Sequence, residues 1–220
     1  MSLSVLVGCR ARRGHGAVVA AIAAAETASW TRSGDVLNRG LTLGSVNGEE
    51  MTFLLGEWDT LTSLHVGLEQ RATREKLGRY CVVEPECYAF RMLVFYESMG
   101  RPRAVIGGAV LEAPPGQAAR AETFLRDQRE RLLRYRGLGL ALHALYRDAA
   151  APHRFMVLHG WSSPEALDAF RQAHHEALAR SRAFGIAERY RFSSHPRAAS
   201  DLAYEAAVPA PPDLAICGSR

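Results

Sequence analysis

His159 and Trp161 lie two residues apart on one face of the apolar run 155–161, and Phe170 and His174 follow on a stripe with Leu167 and Leu178 at three- and four-residue spacing. A strand and a helix that pack face to face would turn both imidazoles and the indole toward one place, with Phe170 as an apolar wall. An imidazole titrates near neutral pH and can act as a general base toward an acidic proton. A buried indole needs a partner for its N–H, which suits the wall of a ligand site. Arg191, on the closing strand, could hold an anionic oxygen. The structural alternatives are plain: satisfied core histidines, an indole packed at a strand end, and an arginine at a sheet margin paired with Glu188. His175 points about 100° away from His174 on a helix and reads as exposed.

These residues belong to one strand, helix and strand unit, FMVLHGWSSPEALDAFRQAHHEALARSRAFGIAERYRF, from Phe155 to Phe192. Ser before Pro164 can cap the helix with proline in its first turn, Glu165 suits the helix dipole, and Gly185 ends the helix. The stretch TFLLGEWDTLTSLHVGLEQRATREKLGRYCVVEPECYAF, from Thr52 to Phe90, has the same order: an apolar strand ending in Trp, a Leu-striped helix and a closing Tyr-x-Phe. Trp58 and Trp161 are 103 positions apart and Tyr88 and Tyr190 are 102 apart, which reads as tandem duplication. In the first copy Trp58 matches Trp161 and His65 lies on the inner helix stripe, but Gly56 stands in place of His159. The two sites should therefore differ, and the second half is the better candidate for the working one.

The remaining elements complete two β-α-β-β-α-β halves. The first has strands near 3–9, 36–46, 51–58 and 87–96. Its helices lie near 17–30, with Val18, Ile22 and Ala25 inward, and near 61–77. The second has strands near 104–112 and 138–146 before the opening unit, and a helix near 117–135 with Ala121, Phe124, Gln128 and Leu132 inward. The expected organisation is a first repeat over 1–98, a second over 103–195, and an extended or disordered tail over 196–220. A ferredoxin-like half has helices on one sheet face and a bare apolar face on the other. Two such halves satisfy each other by closing a barrel within one chain, an α+β fold.

Composition narrows the classes. In 220 residues, 48% apolar content and modest charge indicate a globular chain, and no apolar run approaches the roughly 20 residues of a membrane span. Without a signal-peptide pattern the expected location is cytoplasmic. The net charge of +4 is carried almost wholly by arginine, but the densest cluster, Arg126 to Arg136, alternates with Glu122 and Glu130 as a solvated helix face does, so no nucleic-acid partner is expected. Cys9, Cys81, Cys87 and Cys217 lack metal-site spacing and read as free thiols, and no metal is expected.

The motifs TFLLGEW and FMVLHGW, the Ser/Asp-rich turn after each, the EALDAF helix start and the histidine in the following helix resemble the dimeric α+β barrel superfamily, and within it the antibiotic-biosynthesis monooxygenases. The resemblance covers roughly residues 3–96 and 104–193. It implies a dimeric α+β barrel made inside one chain, either a monomer or a homodimer of such monomers. It further implies a monooxygenase without metal or flavin that oxidises a polycyclic, polyketide-type aromatic with molecular oxygen. His159 and His174 would be the bases, and Trp161, Phe170, Trp58, His65 and Arg191 would contact substrate. Similar proteins bind and degrade haem, which would take His174 or His65 as axial ligand, and a non-catalytic small-molecule barrel is the third possibility. Departures from the family pattern bear on all three. Leu54 and Val157 stand where the cofactor-free oxygenases have an asparagine. Leu68 and Arg171 stand where haem-degrading members have a helix histidine. The first strands have no asparagine, and the chain's two are Asn38 and Asn47.

Overall fold

A computed structural model of the chain describes residues 3–32, 41–46, 50–58, 71–98, 103–173 and 184–194. The described strands are β1 (Leu3–Arg10), β2 (Leu41–Ser45), β3 (Met51–Trp58), β4 (Glu86–Glu97), β5 (Val105–Glu112), β6 (Leu140–Asp148), β7 (Arg154–Trp161) and β8 (Ala187–Ser193). The helices are α1 (Gly16–Arg32), α2 (Arg71–Tyr80), α3 (Ala118–Leu133), which runs on into a 3-10 turn (Arg134–Leu138), and α4 (Pro164–Ala173).

All eight strands close into one antiparallel barrel in the order β1-β3-β2-β8-β5-β7-β6-β4. Each half has its own ferredoxin-like order, 4-1-3-2 and then 8-5-7-6, and the halves meet edge to edge at β2–β8 and β4–β6. Closure removes the free edges that an isolated half would expose. The expected intramolecular dimeric α+β barrel is therefore the fold. Among the described residues the seams are unequal: β4–β6 pairs from Phe90↔Asp148 to Glu97↔Leu142, whereas β2–β8 pairs Gly44↔Ser193 and Ser45↔Phe192 and adds the bond from Val46 N to Arg191 O.

Side chains alternate along each strand between the barrel interior and the helix-covered outside. Leu6, Phe53, Leu55, Phe90, Val110, Leu142, Tyr146, Met156, Leu158 and Phe192 fill the interior from both halves. The interior is thus packed core. Gly108 of β5 shows how close that packing is, since a Cβ there would meet Val157 O at 2.4 Å and ring and methyl atoms of Phe192 and Leu158 at 2.7 and 2.8 Å. Gly108→Ala is expected to cost about 1–3 kcal/mol in urea unfolding. Gly78→Ala is the matched contrast: the site lies inside α2 with nothing within 4 Å, so it should gain up to about 1 kcal/mol. Equal effects at the two glycines would contradict the close approach at Gly108.

Two helix faces differ from expectation. Val19 and Ala23 of α1 are buried, whereas Val18 and Ala25 are exposed, so the buried stripe is rotated by one residue. An alanine-rich helix is apolar on nearly every side, and its phase is set by the sheet beneath it rather than by its own pattern. In α3 the buried residues are Ala121, Leu125 and Leu132. Gln128 is half-buried, and Phe124 turns sideways to stack on Phe184 with ring centroids 4.8 Å apart.

The matched tyrosines close one end of the barrel. Tyr88 and Tyr190 both donate to the Glu86 carboxylate, Tyr190 at 2.7 Å, and Arg189 reaches the same carboxylate at 3.4 Å. Burial works to raise the Glu86 pKa but is outweighed by the two phenols and the Arg189 charge, which hold it below the ordinary carboxylate value. Beside it Arg154 bridges Glu112 at 3.0 Å and the buried Asp148 at 2.9 Å. The tyrosines therefore have a structural task. The tail over 196–220 lies outside the described residues.

Candidate functional site

Ser163 is the cap of α4, its Oγ accepting from Ala166 N at 3.2 Å with Pro164 opening the helix. That cap sets the phase of α4 over the sheet, so Leu167 is buried on the Trp161 cluster and Phe170 packs against it. The Phe170 ring lies 4.6 Å from that of Trp161 and 5.7 Å from that of His159, centroid to centroid. His159, Trp161 and Phe170 thus converge beneath α4. His174 and His65 lie outside the described residues, as does the side chain of Trp58, whose backbone pairs with Leu3 at the end of β3. Arg191 is not brought to the group. It lies two strands from β7, in register with Ala109 and Val157, and donates to Glu188 at 2.9 and 3.1 Å.

Two residues absent from the sequence-level assignment complete the site. His143 of β6 stands directly opposite His159, with the rings stacked at 5.1 Å and the two Nδ1 atoms 3.4 Å apart. One of these nitrogens can donate to the other only when the tautomers are complementary. Tyr96 of β4 stands opposite His143 in turn, so Tyr96, His143 and His159 form a row across three strands. The row crosses the seam between the halves. A bulge between Met92 and Val94 makes this possible: up to Met92 the even-numbered side chains face the interior, and beyond it Val94 and Tyr96 face the helices of the second half. On the other flank of His159, the β5 partner Gly107 has no side chain.

The two histidines differ in environment. His143 is 2% exposed, and burial, helped by the Arg129 charge on α3, pushes its pKa down from 6.5 to about 4. His159 is half-buried and more open to solvent. At neutral pH His143 therefore stays uncharged. This difference also shapes stability. A histidine with a folded pKa below its unfolded value binds fewer protons when folded, so its contribution is complete above pH 6.5 and is lost as pH falls toward 4. That loss amounts to about 3 kcal/mol. His143→Gln should flatten the fall between pH 7 and 4 by that order in urea unfolding, because the other acid-titrating groups are common to both proteins. Parallel pH curves would show that His143 is not held neutral.

Trp161 is fully buried and its Nε1 has no acceptor among the described residues. The arrangement is an imidazole base with a neutral second imidazole behind it, aromatic walls, and an indole N–H awaiting a partner. Such a site can take a proton from a planar acidic molecule and exclude water while doing so.

No protein-family model matches the chain, and no curated protein matches it. Among solved structures it is similar to a protein of Fusobacterium nucleatum named as a candidate monooxygenase, with TM-score 0.62 and 7% identity over 87% of this chain and 91% of the other. A second, from Lactobacillus acidophilus and named in the same way, has TM-score 0.60 and 8% identity over 88% and 94%. An anthrone oxidase-like protein has TM-score 0.57 and 15% identity over 91% and 94%. At these identities the likeness is one of fold, the eight-stranded barrel of two ferredoxin-like halves, and it extends nearly end to end in each case. The doubled barrel in a single chain is thus shared by these structures.

Proposed function

We propose that the protein is a monooxygenase that uses neither metal nor organic cofactor and oxidises a flat, polycyclic aromatic of the polyketide type. The observation that carries this reading is the pairing of a half-buried base, His159, with the buried neutral His143 beside the Phe170 ring, which also packs on Trp161. The described neighbours of matching fold, one of them anthrone oxidase-like, support the same reaction class.

In this reading His159, assisted by His174, removes a proton from an acidic phenol or from the methylene it activates, which leaves a delocalised carbanion between the rings. The carbanion gives its electrons to molecular oxygen and forms a carbon–oxygen bond. The resulting peroxide takes the proton back from His159 and loses water as the remaining C–H proton leaves, so one methylene and one oxygen molecule give one carbonyl and one water. The protein supplies orientation, the base and a dry surround. Oxygen uptake with a hydroxylated anthrone, measured beside product formation, should show one oxygen consumed per quinone formed. Unchanged turnover under anaerobic conditions would exclude an oxygenase in favour of an isomerase or cyclase. A haem would depend on His174 or His65, and a hemin titration with no Soret shift would dismiss it.

A further inference from the structure

Among the described residues, three buried polar atoms without a hydrogen-bond partner lie beneath the second-half helices: Arg129 Nε, His143 Nε2 and Trp161 Nε1. Arg129 occupies the inner side of α3 between the buried Leu125 and Leu132, and Leu132 packs in the same cluster as Trp161. His143 feels the Arg129 charge, and its ring is stacked on that of His159, two residues before Trp161. Two of the three atoms can only donate, because neither a guanidinium nor an indole nitrogen accepts. Leaving such donors buried and unmet is costly, and folded chains seldom do so. Asp127 and Glu130 are near Arg129 in the helix sequence, yet no carboxylate among the described residues satisfies its Nε. The Arg129 charge acts on His143, and the Trp161 indole shares the Phe170 ring with His159, so a positive charge and an indole N–H without a partner among the described residues flank the histidine pair and suit a negatively charged acceptor on a flat molecule.

We infer that the second-half site binds its ligand through an anionic oxygen carried on an aromatic ring, a phenolate, enolate or carboxylate, held by the Arg129 guanidinium and the Trp161 indole N–H above the His143–His159 pair. The inference rests on the second half being the working site of the proposed oxygenase, and it adds the charge state of what enters. An anion held there also explains the order of events: the arginine stabilises the negative charge that His159 creates by taking the proton.

The test is equilibrium binding to the full chain, followed by tryptophan fluorescence and calorimetry, of 2-naphthoate against 2-naphthamide, which share ring and size but differ in charge. Naphthoate should bind about 10-fold or more tightly than naphthamide. Arg129→Gln should remove that preference by weakening naphthoate alone, Arg129→Lys should keep most of it, and Trp161→Phe should weaken naphthoate several-fold. Arg126→Gln is the control, since Arg126 is exposed and already paired with Glu122 at 2.9 Å. Equal affinity of the two probes in the wild-type protein, no binding of naphthoate, or a preference that survives Arg129→Gln would each overturn the inference. The wild-type comparison holds whether or not a variant folds. Binding needs no oxygen, so a protein that prefers naphthoate yet consumes no oxygen would retain the anion site and lose the oxygenase reading. Oxygen uptake without anion preference would do the reverse.

Discussion

His159→Ala is expected to lower kcat on a hydroxylated anthrone by about 10²–10⁴-fold, the usual span for loss of a positioned general base, with a much smaller change in KM. The reason lies in the asymmetry of the histidine pair. His143 is buried beside the Arg129 charge and cannot accept a proton near neutral pH, so it cannot replace His159 as base. His143 instead acts through His159: its Nδ1, 3.4 Å away, selects the tautomer and holds the ring. His143→Gln should therefore cost less than His159→Ala and should also shift the acidic limb of the pH–rate profile. Equal losses in the two variants, with unshifted profiles, would mean that the pair serves packing. Full activity of His159→Ala would move the base to another residue.

Trp161→Ala should destabilise the protein by about 3–5 kcal/mol, a large part of the total stability of an ordinary domain. The indole is wholly buried and packs with Val105, Leu132, Leu140 and Leu167, which come from β5, α3, β6 and α4. Its removal would leave a void shared by four elements that cannot all move inward. Trp161→Phe separates packing from hydrogen bonding. It keeps most of the ring contact with Phe170 and removes an N–H that has no acceptor among the described residues, so its cost should stay below about 1.5 kcal/mol. Urea unfolding of both variants decides the matter. A Phe variant as unstable as the Ala variant would show that the indole N–H is satisfied in the folded protein.

Much of this architecture was legible from the chain because it is set by local rules. The alternation in FMVLHGW determines a strand with His159 and Trp161 on one face, Ser163-Pro164 determines where the next helix begins, and the spacing of Trp58 and Trp161 declares the duplication. Bare sheet faces in both halves require burial, and that requirement leads to the closed barrel. The inner faces of α1 and α3 were less legible. Apolar or long side chains surround both helices, and the phase depends on which strand lies below.

What the sequence by itself determined was the set of elements, their order in two copies, and the strand and helix on which His159, Trp161 and Phe170 stand. What only the tertiary structure decided was the company they keep. His143 of β6 meets His159, and Tyr96 of β4 and Arg129 of α3 reach His143, only through strand register, the Met92/Val94 bulge and the lie of α3 on the sheet. Register has a period of two, so one inserted residue exchanges the faces of everything beyond it, and whether such a residue is accommodated as a bulge depends on the strand alongside. That partner is chosen by barrel closure between halves distant in sequence, which no local pattern encodes.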